Sequence, residues 1–440
     1  MNTNADITSH QQREAHRAWL MFSILSSIGF TMVFTVNMLY QARTVGLNPF
    51  QLVLVGTVLE ISYFLFEIPT GVIADVYSRR LSLIIGSLMM GVGFIVEGLI
   101  PTFGGVLLCQ VIWGIGATFH SGAGDAWLAD EIGEQNMGKA MLRADQIAKI
   151  AAFFTIIASV ALSLVNIQVA IVIGGAVHVL NGLYLLFRMP ERGFRPAPRE
   201  ERQTWKTMTS TFRSGARVIR TSPVLMMLVA ITLLFGAFSE SYDRLWTPHL
   251  LDNITFPLIG GIMLPEVIWF GLLSMVGLLF GAVFTEGIRR TVQTDSAAHI
   301  ARALRILTIV LAAGVLVFAL SSSFWLAAAA MFLIGAVRGV YSPLHTTWIN
   351  QGLDPSLRAT VVSTISQADA VGQIGGGPAI GWVGTVFGLR IALSVGALLL
   401  TPTLLLLTRS ARRQMSIETA GAVPLVLDGA EAVEIGIVSS

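Results

Sequence analysis

The residues best able to do chemistry in this chain are acids and bases set inside long apolar stretches, where a charge is costly and so marks a functional candidate. Glu60 and Glu67 are seven residues apart, with Tyr63 and Phe64 between them. At about 3.6 residues per turn all four fall on one helical face. Two carboxylates with aromatic rings between them suit a cavity for an apolar or cationic guest. Glu67 would lie about 10 Å further along the helix than Glu60, and beside Pro69 a helix-end role is equally open to it. Asp145 and Lys149 are four apart, so they either neutralise each other on one helix face or handle protons. Asp369 has no base in its own apolar segment, and Arg338, which keeps its charge when buried, is its expected partner. Glu240, Asp243 and Arg244 read as a local network or an extracellular gate. His120 reads as a hydrogen-bonded packing residue, with titration near neutral pH as the alternative.

The elements that must hold these residues are membrane helices. Of 440 residues 54% are hydrophobic and 12% charged, and the mean hydropathy is +0.72. That is about half the charge density of a soluble domain, which excludes an ordinary cytosolic enzyme. Apolar segments fall near 19–41, 51–74, 81–101, 104–124, 146–164, 166–187, 223–246, 263–285, 303–321, 324–343, 360–385 and 387–408. Each is long enough for one crossing. The expected fold is an all-α integral membrane protein of twelve transmembrane helices in two six-helix halves. The halves span 19–187 and 223–409, joined by a basic linker at 188–222 and flanked by an N-terminal segment, 1–18, and a tail, 410–440. Arginine and lysine collect between alternate segments, from Arg79 and Arg80 through Lys139 and Arg143 to Arg409 and Arg412. The positive-inside rule then puts both termini in the cytoplasm and the chain in the inner (plasma) membrane.

Several chemistries are excluded. The single cysteine, Cys109, rules out an intrachain disulfide and a cysteine-based zinc site. No Walker-type phosphate loop is present, which excludes the usual ATP-driven pump, and no nucleophile motif falls in a strand–turn–helix context. No enzyme activity, cofactor, metal or nucleic-acid partner is expected.

Internal repeats support the division into halves. After the second segment comes Gly71-Val-Ile-Ala-Asp75-Val-Tyr-Ser-Arg79-Arg80, and after the eighth Gly281-Ala-Val-Phe-Thr285-Glu286-Gly-Ile-Arg289-Arg290. Ala144-Asp145 in the fifth segment is echoed by Ala368-Asp369 in the eleventh. Parallel halves related by an axis along the membrane normal produce such spacing.

The segment from Gly71 to Arg80 resembles the signature loop of the major facilitator superfamily, and the resemblance extends over the whole chain. It implies that the loop steadies the outward-facing state and that Gly71 allows close helix contact. It further implies that Asp75 meets the helix N-terminus near Thr360, and that Arg79 meets Asp125 or Asp130. Phe66-Glu67-Ile68-Pro69-Thr70-Gly71 is similar to the drug:proton antiporter branch of macrolide and tetracycline exporters. There are departures: Val76 and Ser78 stand where the loop usually has a base and a glycine, Gln110 where drug exporters often carry arginine, and Gly377-Pro378 lies in the eleventh rather than the fifth segment.

The expected function is therefore a secondary transporter that exports amphipathic drug-like compounds by proton antiport, as a monomer in the bilayer, with a small-molecule substrate and protons as its partners. Two alternatives stay open: proton-coupled uptake of a small nutrient on the same fold, and a membrane receptor or scaffold without transport.

Overall fold

Helix starts along the chain are written in local sequence. Asn48 accepts from the Gln51 amide at 2.9 Å while the Gln51 side chain accepts from the Asn48 amide at 3.0 Å. This capping box, with Pro49 in the first turn, launches the helix Pro49–Val76. Ser78 caps the next, Arg79–Leu99, through the Leu81 amide at 2.8 Å. The computed structural model describes residues 3–196, 219–220, 223–291, 297–350 and 355–419, and among them the chain is helical apart from turns, short loops and one isolated bridge, Ile259 to Ile262.

In chain order the helices are α1 (Thr3–Phe34), α2 (Asn37–Leu39), α3 (Pro49–Val76), α4 (Arg79–Leu99), α5 (Phe103–His120), α6 (Ala123–Ile132), α7 (Glu134–Val165), α8 (Ile167–Arg188), α9 (Pro223–Asn253), α10 (Glu266–Thr291), α11 (Ala297–Leu320), α12 (Phe324–Asn350), α13 (Pro355–Phe387), α14 (Leu389–Leu399) and α15 (Thr401–Thr419). A π-helical turn, Tyr40–Thr44, follows α2. Eleven spans of the described residues are long and apolar enough to cross a bilayer. The expected eleventh segment, 360–385, lies in α13, whose 33 residues suffice in length but which is not among those eleven.

Boundaries differ from expectation at three places. The first apolar segment breaks after Phe34, where Val36 leaves helical geometry at φ −127° and ψ −7°. The fourth divides into α5 and α6 at Gly122, whose φ of +72° suits glycine. The twelfth is built from α14 and α15 and runs on to Thr419. Most of the 188–222 linker and the tail beyond Thr419 fall outside the described residues.

The chain forms two compact units: Met1–Met208 with Phe256–Val276, and Thr209–Thr255 with Gly277–Ser440. In the first, α1 packs against α7 and α8, and α4 lies against α5 and α8. At the α4–α8 crossing a Cβ on Gly91 would sit 2.7 Å from the Gly175 carbonyl, and one on Gly175 the same distance from that of Gly91. Small residues thus let the backbones touch, which drives helix association where lipid is as apolar as the side chains. Near the loop end Trp19 stacks on Trp127 at 6.4 Å within a core that includes Phe22, Leu83 and Leu185. In the second unit α9 packs against α13, and α11 against α12 and α15. A Cβ on Gly372 would run into the Leu233 carbonyl, so the α9–α13 crossing is equally close.

Candidate functional site

The α3 stripe forms as its spacing implied. The helix is unbroken from Pro49 to Val76 despite Pro69, so Glu60, Tyr63, Phe64 and Glu67 share a face. The Tyr63 hydroxyl reaches the Ala117 carbonyl on α5 at 3.4 Å, and both carboxylates lie within electrostatic reach of that hydroxyl. Glu60 is half-buried and Glu67 exposed on the surface of the unit.

The loop after α3 is tied down by charge. Arg79 pairs with Asp130 on α6 and donates to the Ala126 carbonyl at 2.9 Å. Glu191, in the first residues of the linker, accepts from Ser78 Oγ at 2.6 Å and from the Arg80 amide at 2.8 Å. The Trp127 indole donates to the Pro190 carbonyl at 2.8 Å. Within the unit a Cβ on Gly71 would meet nothing within 4 Å, so the close helix contact expected of this glycine is not made there. Asp75 is half-buried in the last turns of α3. The side chain of Thr360, its expected partner, lies outside the described residues, as do those of Arg289 and Arg290.

Asp145 and Lys149 neutralise each other at 2.7 Å, and at 54% and 61% side-chain exposure they form a surface pair. The sequence echo holds in geometry, because Gln373 Nε2 donates to Asp369 Oδ2 at 2.8 Å across the same four-residue spacing. His120 is a packing residue, its Nε2 3.0 Å from the Leu83 carbonyl and 3.1 Å from Ser87 Oγ, with its ring edge-on to Phe22.

The expected pairing of Arg338 with Asp369 is corrected. Arg338 grips both oxygens of Asp243, with Nη2 2.7 Å from Oδ2, donates to Ser239 Oγ at 2.6 Å, and lies over the Tyr242 ring at 5.7 Å. Asp369 interacts with Arg338 only through space. The reason lies in the packing: α13 sets Asp369 against α9 at Gly236, whereas Asp243 and Ser239, further along α9, face α12. Beside this fork Glu240 accepts from Arg244 Nε at 3.0 Å, both nearly buried. The trio Glu240, Asp243 and Arg244 is thus a network that also includes Arg338.

One intramembrane acid escaped the sequence reading. Glu97, two residues before the far end of α4, is 0% exposed. Its Oε1 accepts from Asn37 Nδ2 at 2.9 Å and Gln41 Nε2 at 2.7 Å, and its Oε2 from the Cys109 thiol at 3.1 Å. The Tyr40 hydroxyl donates to its backbone carbonyl at 2.6 Å. The available signal was the polar pair Asn37 and Gln41 inside the first apolar segment. At the opposite end of the unit, a cavity of about 660 Å³ between α1 and α7 is lined by Arg13, His16, Arg17, Lys139 and Arg143.

Long apolar helices in two units, an anchored basic loop and several membrane-embedded acids define a polytopic transporter. A family model for the Major Facilitator Superfamily matches residues 20–376, and the chain belongs to that family. It is 23% identical over 361 residues, 81% of this chain and 86% of the relative, to the uncharacterized MFS-type transporter YxaM of Bacillus subtilis (strain 168). Among solved structures, the nucleoside transporter NupG superposes with a TM-score of 0.74 at 14% identity, covering 90% of this chain and 99% of that one. A POT family transporter in complex with a thioalcohol-conjugated peptide gives 0.70 at 12% identity, covering 90% and 96%. At these identities the likeness is one of fold.

Proposed function

We propose that this transporter exports amphipathic, drug-like compounds in exchange for protons, with both termini in the cytoplasm of the inner membrane. The α3 stripe carries the reading: two carboxylates flank an aromatic face within the apolar stretch of the helix. Such a face accepts a bulky apolar or cationic guest by area and ring contact, and a carboxylate beside it exchanges guest for proton by charge. The loop anchored through Arg79, Asp130 and Glu191 supports the orientation, as does the basic cavity at the same end of the first unit, because such charge gathers on the cytoplasmic side. Uptake of a small nutrient is the second reading; a nucleoside transporter and peptide-binding transporters are among the structural neighbours. Everted membrane vesicles separate the two. An exporter accumulates a cationic dye when the proton gradient is imposed and releases it when the gradient collapses. Dye indifferent to the gradient, with proton-driven uptake into right-side-out vesicles of a nucleoside or dipeptide, would replace the export reading.

A further inference from the structure

We propose that Glu97 is a proton-binding site within the first unit, separate from the α3 stripe and built with Asn37, Gln41 and Cys109. Each of these three donors is a neutral dipole aimed at the carboxyl. The acceptor side of the site is what a proton requires. Gln41 is 0% exposed, and among the described residues its Oε1 has no hydrogen-bond partner. Its Nε2 meanwhile serves both Glu97 Oε1 and Asn37 Oδ1, the latter at 2.8 Å. Half a turn of the Gln41 amide brings its carbonyl to the place of Nε2, where it accepts from a protonated Glu97. Ionised, the carboxyl receives three hydrogen bonds and leaves a carbonyl orphaned. Protonated, it donates one to that carbonyl at the expense of the Gln41–Asn37 bond, so what protonation relieves is the buried charge rather than an unmade hydrogen bond. The step is a proton transfer from hydronium to Oε1: one hydronium O–H bond breaks, leaving water, as the carboxyl O–H bond forms and the carboxylate charge is lost.

Among the described residues the neighbouring elements bring the following groups. The π-helical turn contributes Tyr40 and Arg43, the latter held by Glu266 at 3.1 Å. From α5 comes Cys109 itself. From α8 comes His178, whose ring lies 5.7 Å from Phe94, one turn along α4. On α3 the first acid, Glu60, lies eleven residues in from Pro49. Gln41 and Arg43 share one turn, so the bond exchange at Glu97 acts on the element that carries Arg43 to Glu266.

The inference requires the membrane fold but not a direction of transport, so failure of the export assay and failure of this site are distinguishable. The full chain, reconstituted in phosphatidylcholine vesicles, is examined by infrared difference spectroscopy from about pH 5 to about pH 9, the range in which a buried carboxyl titrates. A carboxylic C=O band should grow on acidification, vanish in Glu97→Gln and change frequency in Gln41→Leu. The unmodified protein supplies a second readout, because its one thiol donates to Glu97 Oε2: the S–H stretch should move to higher frequency with the same midpoint. An S–H band constant across that range, or a C=O band indifferent to Glu97→Gln, would overturn the proposal, and the S–H measurement decides the matter even if both variants fail to fold.

Discussion

Glu60 and Glu67 sit on one helix, so their common face follows from the 3.6-residue repeat alone, and sequence suffices to see it. On the proposed mechanism Glu60→Gln removes titration at nearly constant volume. Proton-driven dye export should then fall by about tenfold or more while downhill exchange persists, since an amide at this position cannot carry the proton. Retention of gradient-driven export would move coupling to another acid. Arg338 teaches the opposite lesson. Its partner depends on which helices pack side by side, and a single sequence does not state that, so Asp369 was the expected partner where α9 in fact supplies Asp243. Arg338→Gln should cost about 1–3 kcal/mol, between the limits for exposed and buried pairs. Adding Asp243→Asn should recover part of that loss, while adding Asp369→Asn should simply sum. Thermal melting of the four variants in detergent gives the coupling, and coupling to Asp369 in place of Asp243 would contradict the fork.

Capping residues mark helix starts in the sequence at Asn48-Pro49 and Ser78, whereas the break at Gly122 fell inside an expected segment although a glycine marks it. The break after Phe34 carries no such signal: Thr35-Val36-Asn37 contains neither glycine nor proline. Its reason is tertiary, because unwinding turns Asn37 and Gln41 toward Glu97 on another helix. Close crossings were legible only in part. Gly71 drew attention through its motif yet makes no close contact within its unit, whereas Gly91 and Gly175 belong to no motif and touch. Gly175→Leu should therefore destabilise the protein by about 1–3 kcal/mol or more through overpacking. Gly71→Leu should stay within about 0.5 kcal/mol. Comparison of melting temperatures checks both, and equal losses would imply a different packing of α4 on α8.

For the molecule as a whole, membrane residence and all-helical class follow from hydropathy and charge content, because the bilayer leaves the backbone few alternatives. What is carried, and which way, depends on a handful of side chains whose surroundings hydropathy does not encode. Orientation is open to direct measurement. In a Cys109→Ser background, a cysteine placed at Lys139 should react with an impermeant maleimide only in everted vesicles, and one at Arg390 only in right-side-out vesicles. The opposite pattern would invert the topology. The π-helical turn bears on chain length: a π turn holds one residue more than the α-turn it replaces, so the stretch from Tyr40 to Thr44 carries a spare. Deleting Ala42 should rewind it to an α-turn that keeps the residues after Thr44 in register, while Arg43, inside the turn, moves one position back and off Glu266. An Arg43→Cys, Glu266→Cys pair in the same background should then crosslink at full length and fail to do so in the shortened chain.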